Sequence, residues 1–368
     1  PCTSLDDPAW ALYLQSTQTG LRQLHHFGFM HFRGQDPMKK KFQVVGIGNA
    51  MVDILSHIKE DFLTTNGVEK GIMQLIDMPR AVELYGHMGP AQEVSGGSAA
   101  NTIAGIAALG GRTAYVGKVK DDQLGSIFAH DLRAQGAIYE TPLAAKSETH
   151  ETGRCMVLVT PDGERSLNTY LGVSEQLAPS DIDDHMMAHA EWLYLEGYRF
   201  DGPDSKAAFA KAIKACTAAG GKISLTLSDP FCVDRHRADF LEMIRDHVDL
   251  LFCNTAEMQA MYPSDSLNAS MAMAAKEVSI VVCTASEKGA YVLNDGGMEH
   301  AHAVPTQIVD ATGAGDLFAS GFLYGLTSGF DMLTSARMGC VAAAEVISHI
   351  GARPEADLME LFQDHGLV

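Results

Sequence analysis

The chain has 368 residues, of which 46% are hydrophobic and 20% charged, and its formal net charge is −19. This length allows a large buried core in one or two domains, and the composition is that of an ordinary globular protein. The negative charge argues against a nucleic-acid or anionic-membrane partner, because both require a basic surface.

Cysteine usage indicates the redox compartment. Seven cysteines are scattered along the chain, and none forms a CxxC pair. An odd number of dispersed cysteines is typical of reduced thiols in a cytoplasmic protein rather than of a disulfide framework. The histidines do not stand at ligand spacing near these cysteines, so we expect no zinc site.

Residues 1–37 differ from the rest of the chain. They show no apolar period, and their longest apolar patch, at residues 10–14, is too short for a signal-peptide core. Met38 and three lysines then lead into the first strand-like run. We therefore expect residues 1–37 to be a poorly ordered extension or cloning remnant, and residues 38–368 to form a single domain.

From residue 42 onward, short apolar runs alternate with helical patterns. Strands are predicted at residues 42–48, 112–119, 192–195, 223–227, 249–253 and 278–283. Helices are predicted at residues 99–109, 123–135, 205–218, 237–246, 314–327 and 332–350. This alternation forms βαβ units, so we predict an α/β fold with a mainly parallel central sheet and helices on both faces.

Other β-like segments break this alternation. They are short and lie at residues 53–59, 71–76, 92–95 and 152–170, the last with a hairpin turn at the Pro-Asp-Gly of residues 161–163. Because these segments come from separate places in the sequence, we predict a small β-sheet lid inserted into one domain, not a second domain in series.

A glycine-rich turn precedes the helix predicted at residues 314–327. Gly313, Ala314 and Gly315 stand at its start, where the first amides of a helix have no internal partner and the helix dipole favours an anion. Small residues allow a phosphate oxygen to approach those amides closely. Asp316 follows in the first turn. The segment is either an anion site beside a carboxylate or a helix start with a favourable acidic residue.

A second glycine pair, Gly96-Gly97, precedes the helix predicted at residues 99–109, with Ser98 and Asn101 near its start. A sharp turn with polar side chains suits recognition of hydroxyl groups, although Ser98 could be an ordinary N-cap. Asp53, shortly after the first strand, adds a carboxylate that could bind vicinal hydroxyls or could be a surface acid.

Two segments carry a family resemblance. GGSAANTIAGIAALGGRTAYVGKVKDDQLG (residues 96–125) and VDATGAGDLFASGFLYGL (residues 309–326) resemble the signatures of the ribokinase-like, phosphofructokinase B-type carbohydrate and nucleoside kinases. The similarity covers residues 42–353 in the family's order. It implies a Rossmann-like three-layer α/β/α domain with a β-sheet lid, and transfer of the γ-phosphoryl group of ATP to an alcohol.

The resemblance implies roles for the residues that match. Asp316 resembles the general base that takes the proton from the substrate hydroxyl. Gly313, Ala314 and Gly315 resemble the anion hole that stabilises the transferring phosphoryl group. Arg165, on the lid hairpin, resembles the arginine that reaches the phosphates when the lid closes. Catalysis would then rest on positioning and electrostatics, as phosphoryl transfer generally does.

The cofactor residues implied by the resemblance are Thr312 with the glycine turn, and an N-x-x-E motif. Asn254 and Glu257 resemble the pair that organises Mg²⁺ through water, although the same spacing is also that of a helix capping box. Asp310 lies near the place where a monovalent cation such as K⁺ could bind, or it is structural.

The substrate residues implied by the resemblance are Asn49, Asp53, Gly96, Gly97, Ser98 and Asn101. Ser98 stands where ribokinases typically have lysine, and Asn49 with Asp53 resembles the N-x-x-x-D opening of adenosine kinases. Thr312 departs from the asparagine of animal-type adenosine kinases. The resemblance favours an adenosine kinase, acting as a monomer or as a homodimer through the lid. The alternatives are a kinase of ribose or fructose, and a ligand-binding protein without catalysis.

Overall fold

The computed structural model of the protein describes residues 40–202 and 204–368, which belong to one compact unit. The extension expected at residues 1–37 lies outside the described residues. Within the described part, no helix is both long and apolar enough to cross a membrane.

The strands of the described residues are β1 Phe42–Ile47, β2 Met51–His57, β3 Met73–Leu75, β4 Gln92–Gly96, β5 Thr113–Val116, β6 Ile138–Tyr139, β7 Gly153–Val159, β8 Arg165–Tyr170, β9 Ala190–Glu196, β10 Lys222–Thr226, β11 Leu250–Asn254, β12 Ile280–Thr284, β13 Ala290–Asn294 and β14 Gly297–Ala301. The α-helices are α1 Glu60–Thr65, α2 Met78–His87, α3 Ser98–Ala108, α4 Gln123–Ala134, α5 Asp184–Ala188, α6 Ser205–Ala218, α7 Pro230–His247, α8 Thr255–Met261, α9 Leu267–Ala274, α10 Ala314–Thr327, α11 Met332–Val346 and α12 Leu358–Asp364.

The main sheet confirms the predicted α/β fold. Its nine strands have the order β14-β13-β12-β11-β10-β9-β1-β5-β6. All neighbours from β12 to β6 pair in parallel, and only the edge strands β13 and β14 are antiparallel. The strands predicted from the sequence match the parallel strands except the short β6, and the edge hairpin of β13 and β14 was not predicted.

Two predicted helices have different limits in the structure. The helix predicted at residues 237–246 is the second half of α7, which begins at Pro230 and is kinked at His236, where φ is −124° and ψ is 19°. The helix predicted at residues 332–350 ends as α11 at Val346. The chain leaves the helix there because the Ile347 carbonyl accepts the amides of Val309 and Asp310, at 2.8 and 3.3 Å.

The second sheet has the order β3-β8-β7-β2-β4 and is built from the separated β-like segments. Side chains of β7 alternate between its two faces, as the pleat requires. Met156 and Leu158 belong to one apolar cluster with residues of α1 and α2, while Cys155 and Val157 belong to another with Met51 of β2. Helices α1 and α2, which the sequence analysis did not predict, therefore contribute to covering one face of this sheet.

The chain passes from the main sheet to the second sheet in the three residues between β1 and β2. Strand β1 lies between β5 and β9, so the order of the sheet reverses here, and ligands of open α/β sheets bind in the crevice at such a point. Glu196, at the end of β9, is fully buried and connects the β1–β2 crossing to the start of α3. Its Oε1 accepts the backbone and side-chain amides of Asn49 at 3.1 and 2.9 Å, and its Oε2 accepts the Ala99 amide at 2.9 Å.

The close packing of Glu196 against the β1–β2 crossing requires glycine at residue 48. Substitution of Gly48 tests this packing. A Cβ at residue 48 would overlap Glu196 Oε2 and lie 2.7 Å from the Ala99 Cβ. Gly48→Ala is therefore expected to lower the free energy of unfolding by about 1–3 kcal/mol, the usual cost of overpacking. The measurement is urea unfolding of the full chain.

Gly86→Ala is the matched control for this variant. Gly86 lies in α2, and a Cβ there would meet nothing within 4 Å. Alanine in an open helical position should leave stability unchanged or raise it by up to about 1 kcal/mol. Equal effects of the two variants would contradict the close packing at Glu196.

Candidate functional site

The starts of two helices meet at the carboxyl end of the main sheet. α3 and α10 pack closely because Gly105 of α3 faces α10, where a Cβ would overlap Ser320 Oγ and lie 2.8 Å from Leu317 Cδ1.

α10 begins after Gly313, whose φ of 78° is left-handed. A Cβ on Gly313 would also lie 2.8 Å from the Ala352 Cβ, whereas one on Gly315 would meet no atom within 4 Å. The first turn of α10 therefore borders open space at Gly315.

Asp316 lies in the first turn of α10, as predicted, and is held by the first turn of α3. Ser98 Oγ donates to its Oδ1 at 2.6 Å, and Asn101 Nδ2 donates to its Oδ2 at 2.9 Å. Burial raises the pKa of Asp316 above its ordinary value, while these hydrogen bonds and the nearby Arg165 and Arg353 act in the opposite direction. The structure thus joins the two glycine-rich segments through one carboxylate.

Ser98 is not the N-cap that was the simpler interpretation of its position. The N-cap of α3 is Gly97, with φ 94° and no side-chain cap, and Ser98 is the first helical residue. Its hydroxyl contacts Asp316, and Glu196 accepts an amide of the first turn of α3 in place of a cap.

Asp53 lies close to Gly96, because β2 and β4 pair with Met51 opposite Gly96 and Asp53 opposite Val94. A Cβ on Gly96 would overlap the Asp53 carboxyl group, so only glycine fits. Asp53 is buried, and desolvation raises its pKa to about 7. The opposing influence of Arg353 is the largest that lowers the pKa. Asp53 is therefore a buried carboxyl group of the site and not a surface acid.

Both side-chain polar atoms of Asn49 have partners within the protein. Its Nδ2 donates to Glu196, and its Oδ1 accepts Ser174 Oγ at 3.0 Å and Arg199 Nη1 at 2.9 Å. These side chains are all buried. The contacts favour a structural role for Asn49 at the corner between the sheets over the substrate contact expected from the resemblance. Glu196 and Arg199 were not predicted from the sequence.

Arg165 reaches from the second sheet to the glycine turn. Its Nη1 donates to Thr312 Oγ1 at 2.8 Å, and its Nε lies 3.5 Å from Asp310 Oδ1. Asp310 is buried and accepts the Thr312 amide at 2.9 Å and the Gly351 amide at 3.1 Å. Asp310 therefore ties the glycine turn to the loop after α11, which agrees with the structural interpretation of this residue.

Asn254 and Glu257 form a reciprocal capping box at the start of α8. Asn254 Oδ1 accepts the Glu257 amide at 2.8 Å, and Glu257 accepts the Asn254 amide at 3.0 Å and Asn254 Nδ2 at 2.7 Å. Burial raises the pKa of Glu257 to about 7. Within residues 40–202 and 204–368 no cluster of His, Cys, Asp or Glu has the arrangement of a direct metal site.

Arg353 was missed by the sequence analysis. It lies in the loop between α11 and α12, and its Nε donates to Asn101 Oδ1 at 2.9 Å. No motif surrounds it, so only the three-dimensional contact reveals it. Thr102 was also missed; its hydroxyl donates to the Asp316 carbonyl at 3.1 Å.

The two sheets and the carboxylate between two helix starts define a ribokinase-like kinase, a phosphotransferase with an alcohol as acceptor. The model of the pfkB family carbohydrate kinases matches residues 72–358. The chain therefore belongs to the pfkB family, and the suspected family resemblance is confirmed.

Solved structures and curated proteins similar to this chain carry different substrate names. An adenosine kinase from Sinorhizobium meliloti is 45% identical with a TM-score of 0.85, covering 88% of this chain and 99% of that one. A probable sugar kinase from Rhizobium etli is 44% identical with a TM-score of 0.86, covering 89% and 100%. A fructokinase from Escherichia coli is 28% identical over 63% of this chain and 77% of its own length.

Asp53→Asn is expected to change the pH dependence of stability. The folded state raises the pKa of Asp53 from 3.8 to about 7, so it binds this proton more tightly than the unfolded state does. That stabilisation is present at low pH and is lost as the pH rises through about 7. The stability of the wild type relative to the variant should therefore fall by about 1 kcal/mol between pH 6 and pH 8, measured by urea unfolding.

Asp295→Asn serves as the control, because Asp295 is exposed in the turn between β13 and β14. Its free energy of unfolding should follow the wild type at both pH values. The raised pKa would be contradicted if the free energy of unfolding of the wild type, relative to that of Asp53→Asn, stayed constant or rose from pH 6 to pH 8.

Proposed function

We propose that this protein is an ATP-dependent kinase that transfers the γ-phosphoryl group to a primary hydroxyl of a ribose-type substrate, with adenosine favoured. One observation carries the proposal: Asp316 is held between two helix starts, directly beside Gly315, where an added Cβ would enter open space. A hydroxyl bound there would have a base on one side and an anion site on the other, which in-line phosphoryl transfer requires.

Asp316 is the proposed general base. One carboxylate oxygen accepts the proton of the substrate hydroxyl as the hydroxyl oxygen bonds to the γ-phosphorus, and the bond to the β–γ bridging oxygen breaks to release ADP. Burial raises the pKa of this carboxyl group, which makes it a stronger base than an exposed aspartate. The donors Ser98 and Asn101 hold the carboxylate in one orientation.

Gly313, Ala314 and Gly315 are the proposed anion hole, together with the α10 dipole. Backbone amides aimed at the transferring group stabilise its negative charge without moving during the reaction. Arg165 would add a guanidinium to the phosphates. Its contact with Thr312 supports this role, because a side chain of the second sheet already lies at the glycine turn. We propose that the second sheet acts as a lid that carries Arg165.

Mg²⁺ would neutralise phosphate charge when bound with ATP. The residues fit a cation held through water, because each carboxylate oxygen of Glu257 accepts one hydrogen bond from Asn254 and keeps further acceptor capacity. Asn254 and Glu257 would therefore order the hydration shell. K⁺ is not needed to satisfy Asp310, whose two oxygens already accept donors from Thr312 and Gly351.

Asp53, Gly96, Gly97, Ser98 and Asn101 are the proposed contacts of the acceptor substrate. Asp53 supports binding of vicinal ribose hydroxyls, because its carboxyl group has no hydrogen bond to another described residue. Gly96 lies against the same carboxyl group and leaves it uncovered by a side chain. The similarity to a bacterial adenosine kinase over nearly its full length favours a nucleoside.

A sugar kinase acting on ribose or fructose is the second candidate. The similarity to a probable sugar kinase and to a fructokinase supports it. A non-catalytic binding protein is disfavoured, because a pure binder would not need the base. The six cysteines of the described residues are free thiols, which supports a cytoplasmic location. A monomer and a homodimer through the lid are both compatible with this function.

An ADP-release assay across adenosine, inosine, ribose and fructose tests the substrate. We expect the highest kcat/KM with adenosine and ATP. Turnover of the free sugars without turnover of either nucleoside would replace the adenosine proposal with the sugar-kinase candidate. Binding of these compounds without turnover would indicate the non-catalytic protein.

Asp316→Asn tests the base. The amide keeps the size of the side chain but cannot accept the proton, so kcat should fall roughly 10²- to 10⁴-fold while substrate binding by calorimetry is retained. Asp295→Asn, on the exposed turn, should keep wild-type kcat. Near-normal turnover of Asp316→Asn would remove this residue from the base role.

A further inference from the structure

Arg353 makes an unusual set of contacts for an arginine with buried Nη atoms. Its Nε donates to Asn101 Oδ1, but its Nη1 and Nη2 are buried and have no hydrogen-bond partner among the described residues. Arg199 shows the contrasting pattern, since its Nη groups donate to Asn49, Ser174 and Ser205 and hold three segments together. The Arg353 side chain therefore makes one directed hydrogen bond instead of bridging loops.

That one hydrogen bond determines the orientation of an amide. Arginine only donates hydrogen bonds, so the side-chain oxygen of Asn101, not its nitrogen, must face Arg353. The nitrogen then faces Asp316 and donates to Oδ2 at 2.9 Å. With the amide reversed, an oxygen would face the carboxylate and a nitrogen would face the guanidinium, and both contacts would be repulsive. The orientation follows from the chemistry of the two neighbours.

We propose that Arg353 is a positioning residue, which fixes the Asn101 side chain in the orientation that donates to Asp316 and so holds the catalytic carboxylate in place. The inference rests on the proposed role of Asp316 as the base. Arg353 acts through Asn101 and takes no part in the chemical step.

The charges around Asp316 determine the sign of the pH effect. Groups that interact with it are Asp53 on β2, Arg165 on β8, Tyr194 and Glu196 on β9, Tyr198 after β9, Glu257 on α8, and Arg353. Arg353 itself also interacts with Asp131, Asp53 and Tyr115. Burial lowers the pKa of Arg353 to about 10, so it is a cation at neutral pH. Its removal should raise the pKa of Asp316 and move the acid limb of the kcat profile to higher pH.

The experiment is a double-mutant cycle on the full chain, with kcat and KM measured as functions of pH. On the alkaline plateau Asp316 is ionised in every variant, so a change in kcat there reports orientation and not charge. Arg353→Met should lower the plateau kcat roughly 10- to 100-fold, as expected for a misplaced catalytic group, with a smaller change in KM for ATP. Arg353→Lys, which keeps a cation and a donor, should recover most of this loss.

Asn101→Ala provides the decisive comparison. In that background Arg353→Met should cost little further plateau kcat, because the residue through which Arg353 acts is gone. The same fold loss in both backgrounds, or an unchanged plateau for Arg353→Met alone, would overturn the proposal. Arg245→Met, at an exposed position in the last turn of α7, is the surface control and should resemble the wild type.

Folding and the proposed function are monitored separately. A purely structural role of Arg353 would lower the melting temperature or the yield but leave the acid limb of the folded enzyme in place. Should Arg353→Met not fold, Arg353→Lys and Arg353→Gln carry the same comparison. Wild-type turnover and the Asp316→Asn result come from the same assay, so failure of the base role appears there and not in the Arg353 cycle.

Discussion

The site depends on one buried carboxylate, Glu196, at the corner where the chain leaves the main sheet. It accepts hydrogen bonds from Asn49 and Ala99, so it couples the β1–β2 crossing to the start of α3. The first turn of α3 in turn carries Ser98 and Asn101, which hold Asp316. Burying a carboxylate costs free energy unless its oxygens accept hydrogen bonds. The donors to Glu196 belong to the β1–β2 crossing and to the start of α3, so the same hydrogen bonds position these two segments.

Close approach of backbones explains most of the glycine-rich pattern. Gly48, Gly96, Gly105 and Gly313 each occupy a position where a Cβ would overlap a neighbouring residue. Gly315 instead borders open space, and it is the residue beside the proposed phosphate position. Most of these glycines are therefore needed so that α3, α10 and the second sheet can pack closely. Gly315 leaves room for a ligand.

The electrostatics of the site contrast with those of the whole chain. The net charge is −19, yet Arg165 and Arg353 lie near the carboxyl groups of Asp53 and Asp316. The Arg165 guanidinium at the glycine turn is therefore a local cation in a protein that is acidic as a whole. Burial raises the pKa of both aspartates, and the arginines limit that rise.

The sequence by itself determined the α/β class, the parallel strands other than β6, the second sheet and the candidate residues on the glycine-rich segments. These follow from local properties: apolar periodicity, turn residues, and small residues beside a helix start. The start of α7 and the end of α11 were placed incorrectly, because a kink and the Ile347 carbonyl contacts override the local pattern.

Only the tertiary structure decided which polar atoms are free. The Asn49 side chain forms hydrogen bonds with Glu196, Ser174 and Arg199. Ser98 contacts Asp316 instead of capping a helix. Arg353 contacts Asn101, which is 252 residues away in the sequence. A sequence pattern indicates that a side chain can donate or accept. Its partner depends on packing between distant segments, which no local spacing contains.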